Sequence, residues 1–178
     1  MDGGFPVFRD LRRKKQLLSK EATEDILNRG LSGVLGVTGD DGYPYTVPIS
    51  YAYDGGKVYF HSANSGHKLD GIRRNDKVSF CVIDQDQIVP EKFTTFFRSA
   101  IVFGRARIIA DDAEKRHAME LLAQKYSPNY PEEATAEIDR LWNATTVVEI
   151  VVEHMSGKEA IELVNARTAP LTEKATST

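Results

Sequence analysis

The chain has 178 residues, 41% of them hydrophobic and 28% charged, with a formal net charge of −3 at pH 7. This fits one globular domain with a sizeable core, whereas a general nucleic-acid binder would normally carry a basic surplus. The single cysteine, Cys81, excludes an internal disulfide and a cysteine-based metal site, and the lack of an apolar run of signal-peptide or membrane-span length predicts a cytoplasmic protein.

The first segments are a basic stretch and a short helix. Residues 12–15 are all arginine or lysine. Because no second basic or aromatic patch follows, we expect a solvated N-terminal arm there rather than a nucleic-acid or lipid site. Residues 19–29 are typical of a helix, with Ser19 as its N-cap and Gly30 at its end.

Strand patterns come next and are separated mostly by short turns. The predicted strands are residues 33–38, 45–53, 57–62, 77–84, 99–109 and 145–155. The turn at Asp54-Gly55-Gly56 is typical of a hairpin, and Gly104 predicts a bulge or bend. Residues 85–95, around Pro90, are predicted to form a loop.

Helical patterns lie between these strands rather than regularly alternating with them. Residues 70–75 predict a short helix, Asp111 can cap a longer one, and Tyr130-Pro131 begins another that ends near Trp142. Neighbouring strands with segregated helices favour an α+β fold with an antiparallel sheet or barrel. We expect one domain over residues 1–164 and a disordered polar tail over 165–178.

Pro48 lies in the middle of the second predicted strand. Because proline has no N–H to donate, this strand must be at a sheet edge or bulged there. One interpretation is an edge protected against aggregation. The other is a free backbone for a flat polar ring.

The stretch YFHSANSGHK, residues 59–68, ends a strand with small and polar residues. Ser62, Asn64, Ser65, Gly66 and Lys68 could form a phosphate cradle at a helix start, or an ordinary capped turn; the residues alone leave both open. It is not a P-loop, since GxxxxGK[ST] is absent. The nearby histidines have no third ligand clustered with them, which argues against a metal site.

Taken together, DGYPYTVPISYAY, YFHSANSGHK, FRSAIVFGRARII and VVEIVVEHMSGKEA resemble the FMN-binding split-barrel family that includes pyridoxamine 5′-phosphate oxidase. The similarity is greatest to its branch of 5-nitroimidazole reductases, the nitroimidazole-resistance proteins, and spans residues from about 10 to about 163. The resemblance implies an antiparallel six-stranded split β-barrel with flanking helices, and a homodimer with FMN at the subunit interface.

The resemblance also implies which residues contact FMN. Lys68 would pair with the phosphate, helped by Ser62 and the backbone near Gly66. The flavin ring would lie along residues 47–50, and His67 is the candidate for substrate contact. The full implied set is Val47, Pro48, Ile49, Ser50, His61, Ser62, Ala63, Gly66, His67, Lys68 and, from the partner side, Ser99 and Trp142.

These implications leave three functional hypotheses. The first is an FMN-dependent oxidoreductase that reduces a small flat compound, such as a nitroaromatic. The second is a non-catalytic FMN-binding, haem-binding or flavin-storage protein, and the third is a nucleic-acid binder using the basic arm. Vitamin B6 oxidation is not expected, because the arginine-bearing C-terminal segment of the oxidases is missing.

Overall fold

The computed structural model describes residues 8–169. The strands in this part are β1 (Gly33–Thr38), β2 (Pro44–Ile49), β3 (Ala52–Asp54), β4 (Lys57–Ala63), β5 (Lys77–Val89), β6 (Thr94–Ile108) and β7 (Thr145–Glu159). The α-helices are α1 (Lys20–Arg29), α2 (His67–Arg74), α3 (Asp112–Tyr126), α4 (Pro131–Leu141) and α5 (Ile161–Thr168). Short 3-10 helices occupy Lys14–Gln16, Asp40–Gly42, Pro90–Lys92 and Trp142–Ala144.

The strands form one antiparallel sheet in the order β2-β1-β5-β6-β7-β4-β3. Its two edge strands, β2 and β3, are joined only by Ser50 and Tyr51. A flat sheet would separate those edges by roughly 29 Å, whereas the connection spans at most about 11 Å. The sheet therefore curls on itself into an open, barrel-like layer, and the predicted α+β class is confirmed.

The strand count differs from the six predicted, because residues 45–53 form β2 and β3 rather than one strand. The break falls at Tyr51, which is fully buried. Its backbone N–H donates to the Tyr126 hydroxyl at 2.8 Å. A long-range side-chain contact thus replaces the ladder at this point.

The loop predicted at residues 85–95 is also corrected. β5 and β6 pair as far as Val89 and Thr94 and are joined by Pro90–Lys92. The residues after the turn, TTFF, are β-branched or aromatic and favour a strand. The proline therefore interrupts only the end of a long two-stranded ribbon.

Local signals at the helix ends are confirmed. The Ser19 and Asp111 side chains accept the capping bonds of α1 and α3, and the register shifts beside Gly104, as its bulge predicted. The helix predicted to include residues 70–75 is α2, which begins at His67, beside Lys68. One boundary differs, because α5 includes residues 165–168 of the predicted tail. Residues 170–178 of that tail lie outside the described residues.

The core lies inside the curled sheet, with α1 and α2 packed against it. Its fully buried large side chains include Tyr51, Phe60, Phe80, Ile26, Leu27 and Leu35. Within residues 8–169, every helix is too short or too polar to cross a membrane.

Candidate functional site

The sheet is open between β2 and the far end of β4. Among the described strands, β2 pairs only with β1, so Pro48 lies in an edge strand, as predicted. β3 pairs with β4 only at residues 57–59, which leaves residues 60–63 of β4 paired with β7 alone. Two free backbone edges therefore border the opening, and half of the candidate flavin residues lie on them.

The residues of β2 alternate between the two faces of the sheet. Val47 and Ile49 are half-buried and pack against the core. Pro48 is exposed on the opposite face, and Ser50 follows it at the surface. Only this outer face can offer side chains to a ligand, while the free edge of β2 can contribute backbone groups.

The end of β4 shows the same division. Ser62 is buried, whereas His61 and Ala63 are exposed on the outer face. Burial by surrounding atoms, and then the positive charge of Lys68, lower the pKa of His61. The neutral form of His61 is therefore favoured near pH 7.

The turn from β4 into α2 has the backbone of an anion site. Gly66 has φ 137° and ψ 163° and offers no side-chain cap to the helix. Its carbonyl accepts from the N–H groups of Leu69 and Asp70. The amides at the very start of α2 point outward, as at any uncapped helix N-terminus. The half-buried Lys68 adds a positive charge there.

Asn64 fixes the position of this turn. Its side-chain amide donates to the carbonyl of Asn143 at 2.8 Å. Its side-chain oxygen accepts from the Thr146 hydroxyl at 2.9 Å. The turn is thus fastened to the residues at the start of β7.

His67 is held by neighbours on the other side of the opening. Its ring stacks on Tyr45 with centroids 4.1 Å apart, and its Nε2 lies 3.7 Å from the Asp40 carboxylate. Arg74 also pairs with Asp40 at 2.7 Å, which lowers the pKa of that carboxyl. These contacts fix the position of the first turn of α2 relative to β2, and they leave 38% of the His67 side chain exposed.

Tyr126 is the positioning residue that the sequence did not reveal. Its hydroxyl contacts the N–H and the carbonyl of Tyr51, each at 2.8 Å, and the Leu31 carbonyl at 2.7 Å. This fixes the corner between β2 and β3, directly after Ser50. Helical spacing was the only sequence signal at Tyr126, and it does not reveal a contact to a residue so distant in sequence.

Ser99 and Trp142 lie outside this opening. Ser99 is in β6, paired with Ile83 and Lys158. Trp142 follows α4, and its ring is covered by the cations of Lys115 and Arg116 at 4.4 and 4.8 Å. Neither contacts the other candidate residues within the chain, so their predicted role depends on a second subunit.

The chain is similar in sequence and in structure to known proteins. A sequence profile described as pyridoxamine 5′-phosphate oxidase matches residues 19–159. The chain belongs to that family. A curated relative, an uncharacterized protein of Rhizobium meliloti (strain 1021), is 32% identical over 119 residues, covering 65% of this chain and 72% of the relative.

Two solved structures extend the comparison. A candidate 5-nitroimidazole antibiotic resistance protein from Bacteroides thetaiotaomicron has a TM-score of 0.66 and 26% identity, covering 80% of this chain and 86% of its own. A FAD-binding protein from Mesorhizobium loti has a TM-score of 0.62 and 27% identity, covering 82% and 97%. These similarities confirm the predicted family and its split-barrel architecture.

Other hollows on this member of the pyridoxamine 5′-phosphate oxidase family are separate from the opening. A cavity of about 880 Å³ lies between α1, the β3–β4 turn and the middle of β7, and none of the candidate flavin residues lines it. Within residues 8–169, no cluster of three or more histidine, cysteine or acidic side chains could hold a metal ion.

Proposed function

We propose that the protein is a homodimeric FMN-dependent oxidoreductase that reduces a small flat compound, for example a nitroaromatic. The observation that carries this proposal is the opening itself. A free strand edge, the end of a second strand and an uncapped helix start with a lysine converge there. Such an arrangement suits a ligand with an anionic group at one end and a flat polar ring at the other.

The phosphate end of FMN fits the β4–α2 turn. Lys68 would supply a charge-assisted contact, and the amides at the helix start would supply further donors. A methyl group built on Gly66 meets no atom within 4 Å. The backbone there is therefore open to a ligand that approaches closely.

The ring of FMN fits the free edge of β2. Pro48 and Ser50 line the outer face, and the backbone groups that β2 leaves unpaired along its free edge are the available partners for the ring's polar edge. Bound FMN would supply the electron-transfer chemistry. The protein's own residues then need only bind, orient and shield, so no acid or base is assigned. His67 remains the candidate for substrate contact.

A homodimer is supported by an apolar row on the outer face of the sheet. The row crosses four strands in register, through Pro48, Val34, Cys81 and Ile101. Ile101 is 40% exposed, and Phe103, on the same face, is 39% exposed. Contiguous apolar surface of this kind marks an interface. Because the row includes Pro48, the interface would border the flavin.

The dimer is tested by the molar mass in solution, measured by light scattering after gel filtration. We expect twice the chain mass for the wild type and a shift toward the monomer for Ile101→Glu, which puts a charge into the row. Leu31→Glu is the matched control, since Leu31 is 65% exposed outside the row. A monomeric wild type would contradict the dimer.

Turnover is tested by mixing the FMN-loaded protein anaerobically with NADH or NADPH and following the flavin absorbance. Bleaching, followed by recovery of the absorbance when a nitroaromatic is added, supports the proposed reaction. Bound flavin that neither nucleotide reduces, and that does not pass electrons to a nitroaromatic after chemical reduction, would favour the non-catalytic alternative. Parallel loading with FAD decides which flavin the site prefers, because the Mesorhizobium relative binds FAD.

A further inference from the structure

The basic stretch at residues 12–15 borders a cavity. This stretch is far in sequence from the proposed phosphate cradle at the β4–α2 turn. This cavity has a volume of about 380 Å³ and is lined by Arg12, Arg13, Lys14, Lys15, Gln16 and Ile161. Volumes in this range are typical of small-molecule sites. The four cations are exposed, as expected for a solvated arm, and they also form one wall of a hollow.

The backbone directly after these cations is anchored to β7, and three of the four cations have no ion-pair partner in the described part of the chain. Leu17 forms a β-bridge with Lys158, and the Leu18 N–H donates to the Gly157 carbonyl at 3.0 Å. Lys14 lies 4.0 Å from Asp10. Within the described part of the chain, the other three cations form no ion pair.

The opposite wall is the N-terminus of α5. Its N-cap, Ala160, provides no side-chain cap, and the Ala160 carbonyl already accepts from the N–H groups of Leu163 and Val164. The first residue of the helix, Ile161, lines the cavity. Partial positive charge from the helix therefore adds to that of the four side chains.

Gln16 provides an independent indication of a ligand site. The residue is 3% exposed and lines the cavity. Its side-chain oxygen is buried without a hydrogen-bond partner among residues 8–169. A buried amide without a partner is unfavourable and rare. A rotation of the amide by half a turn would offer its NH2 group instead, so the side chain can serve either a hydroxyl or a phosphate oxygen.

We propose that this cavity binds a small phosphate-bearing anion with at least two negative charges. A small ligand fits better than a nucleic acid, because the positive surface is confined to one hollow of a chain whose net charge is −3. Asp10, which lies 4.0 Å from Lys14, and Glu162, in the first turn of α5, are the acidic groups that would oppose binding. The proposal does not depend on flavin, so each can fail without the other.

The test is calorimetric titration of the full-length protein, as purified, with pyrophosphate at low salt, where screening is weak. The informative variant is Arg13→Ala with Lys15→Ala, and the matched control is Lys20→Ala with Lys92→Ala, which removes the same charge from exposed lysines outside the cavity. We expect pyrophosphate to bind the first variant at least about tenfold more weakly than the wild type. The control variant should bind like the wild type, and Glu162→Gln should bind more tightly.

Gln16→Leu separates a ligand role from a structural one. Without ligand, this variant should be at least as stable to heat as the wild type, since it removes a buried group with no partner, yet it should bind pyrophosphate more weakly. Equal binding by the wild type and the Arg13, Lys15 double variant would overturn the proposal. So would a short single-stranded DNA that binds more tightly than pyrophosphate and displaces it, because the site would then serve nucleic acid.

Discussion

Gly66→Ala probes the proposed phosphate cradle most sharply. Gly66 has φ 137° and ψ 163°, a region essentially restricted to glycine, where other residues cost about 1–3 kcal/mol. A methyl group at this position meets no atom within 4 Å. The whole penalty therefore comes from the backbone, and none of it from a clash.

This backbone penalty can appear as a loss of folding stability or as a loss of FMN affinity, and both losses are measurable. If the turn keeps its conformation, the free energy of unfolding falls by about 1–3 kcal/mol, and each kcal/mol lowers the Tm by about 2–4 °C in a chain of this size. If the turn relaxes, the start of α2 moves and FMN affinity falls, by about 5- to 150-fold for the same energy. We expect the two losses together to account for the penalty.

The assays are fluorescence titration with FMN and thermal unfolding of the flavin-free protein. Gly55→Ala is the matched control, because Gly55 also has a positive φ, 53°, with no atom within 4 Å of the added methyl group. It lies in the β3–β4 turn, so it should lose about 1–2 kcal/mol of stability and no FMN affinity. A Gly66→Ala protein with wild-type stability and wild-type affinity would refute the reasoning.

Three further substitutions test other parts of the structure. Lys68→Ala should weaken FMN binding by at least about tenfold, measured by the same titration, because the phosphate loses a charge-assisted partner. Tyr126→Phe leaves the buried Tyr51 N–H without its acceptor and should lower the free energy of unfolding in urea by about 1–3 kcal/mol. Glu149→Gln removes a carboxylate that is only 4% exposed and pairs with Lys57 and Arg107 at 2.9 and 2.8 Å. Since both cations are partly solvated, its loss should cost about 1–2 kcal/mol near neutral pH.

The effect of Glu149→Gln on folding stability should also depend on pH. Burial raises the pKa of this carboxyl, but its hydrogen bonds with Lys57 and Arg107 more than offset that effect, and the pKa lies below its usual value. The stability it contributes is therefore complete above the unfolded-state pKa of about 4.3 and is lost as the pH falls through the lower folded-state pKa. The wild type should lose more stability than Glu149→Gln on acidification from about pH 6 to about pH 3.

Each of these expectations has its own contradicting result. Unchanged FMN affinity in Lys68→Ala would remove the phosphate role from that lysine. Equal urea midpoints for Tyr126→Phe and the wild type would show that the corner between β2 and β3 does not need the hydroxyl. Parallel acid curves for Glu149→Gln and the wild type would mean that the carboxyl is not held in its charged form by its two partners.

Local signals account for most of the fold that could be predicted. Ser19 and Asp111 cap helices because their side-chain oxygens reach amides three residues away, and Pro48 lies at an edge because it cannot donate to a ladder. The break at Tyr51 depends on Tyr126, which lies 75 residues further along the chain. No local pattern encodes that contact, and one predicted strand became two for this reason.

The candidate site was predictable to a similar extent. Glycine at position 66 and lysine at position 68 indicated a backbone turn with a charge, and the structure has that turn. The division of Ser62 and His61 between opposite faces follows from the register of β4 with β7, which requires the assembled sheet. The roles of Ser99 and Trp142 require a second chain, so they remain predictions.

The central claim is that the opening between β2 and β4 binds flavin, and the visible absorption spectrum tests it most directly. The purified protein would be mixed with excess FMN, desalted, and measured for absorbance and protein concentration. We expect the desalted protein to retain flavin bands at about one FMN per chain, as for one site on each subunit of a dimer. A colourless protein after desalting would contradict the claim, and a haem spectrum in the protein as purified would favour the non-catalytic alternative.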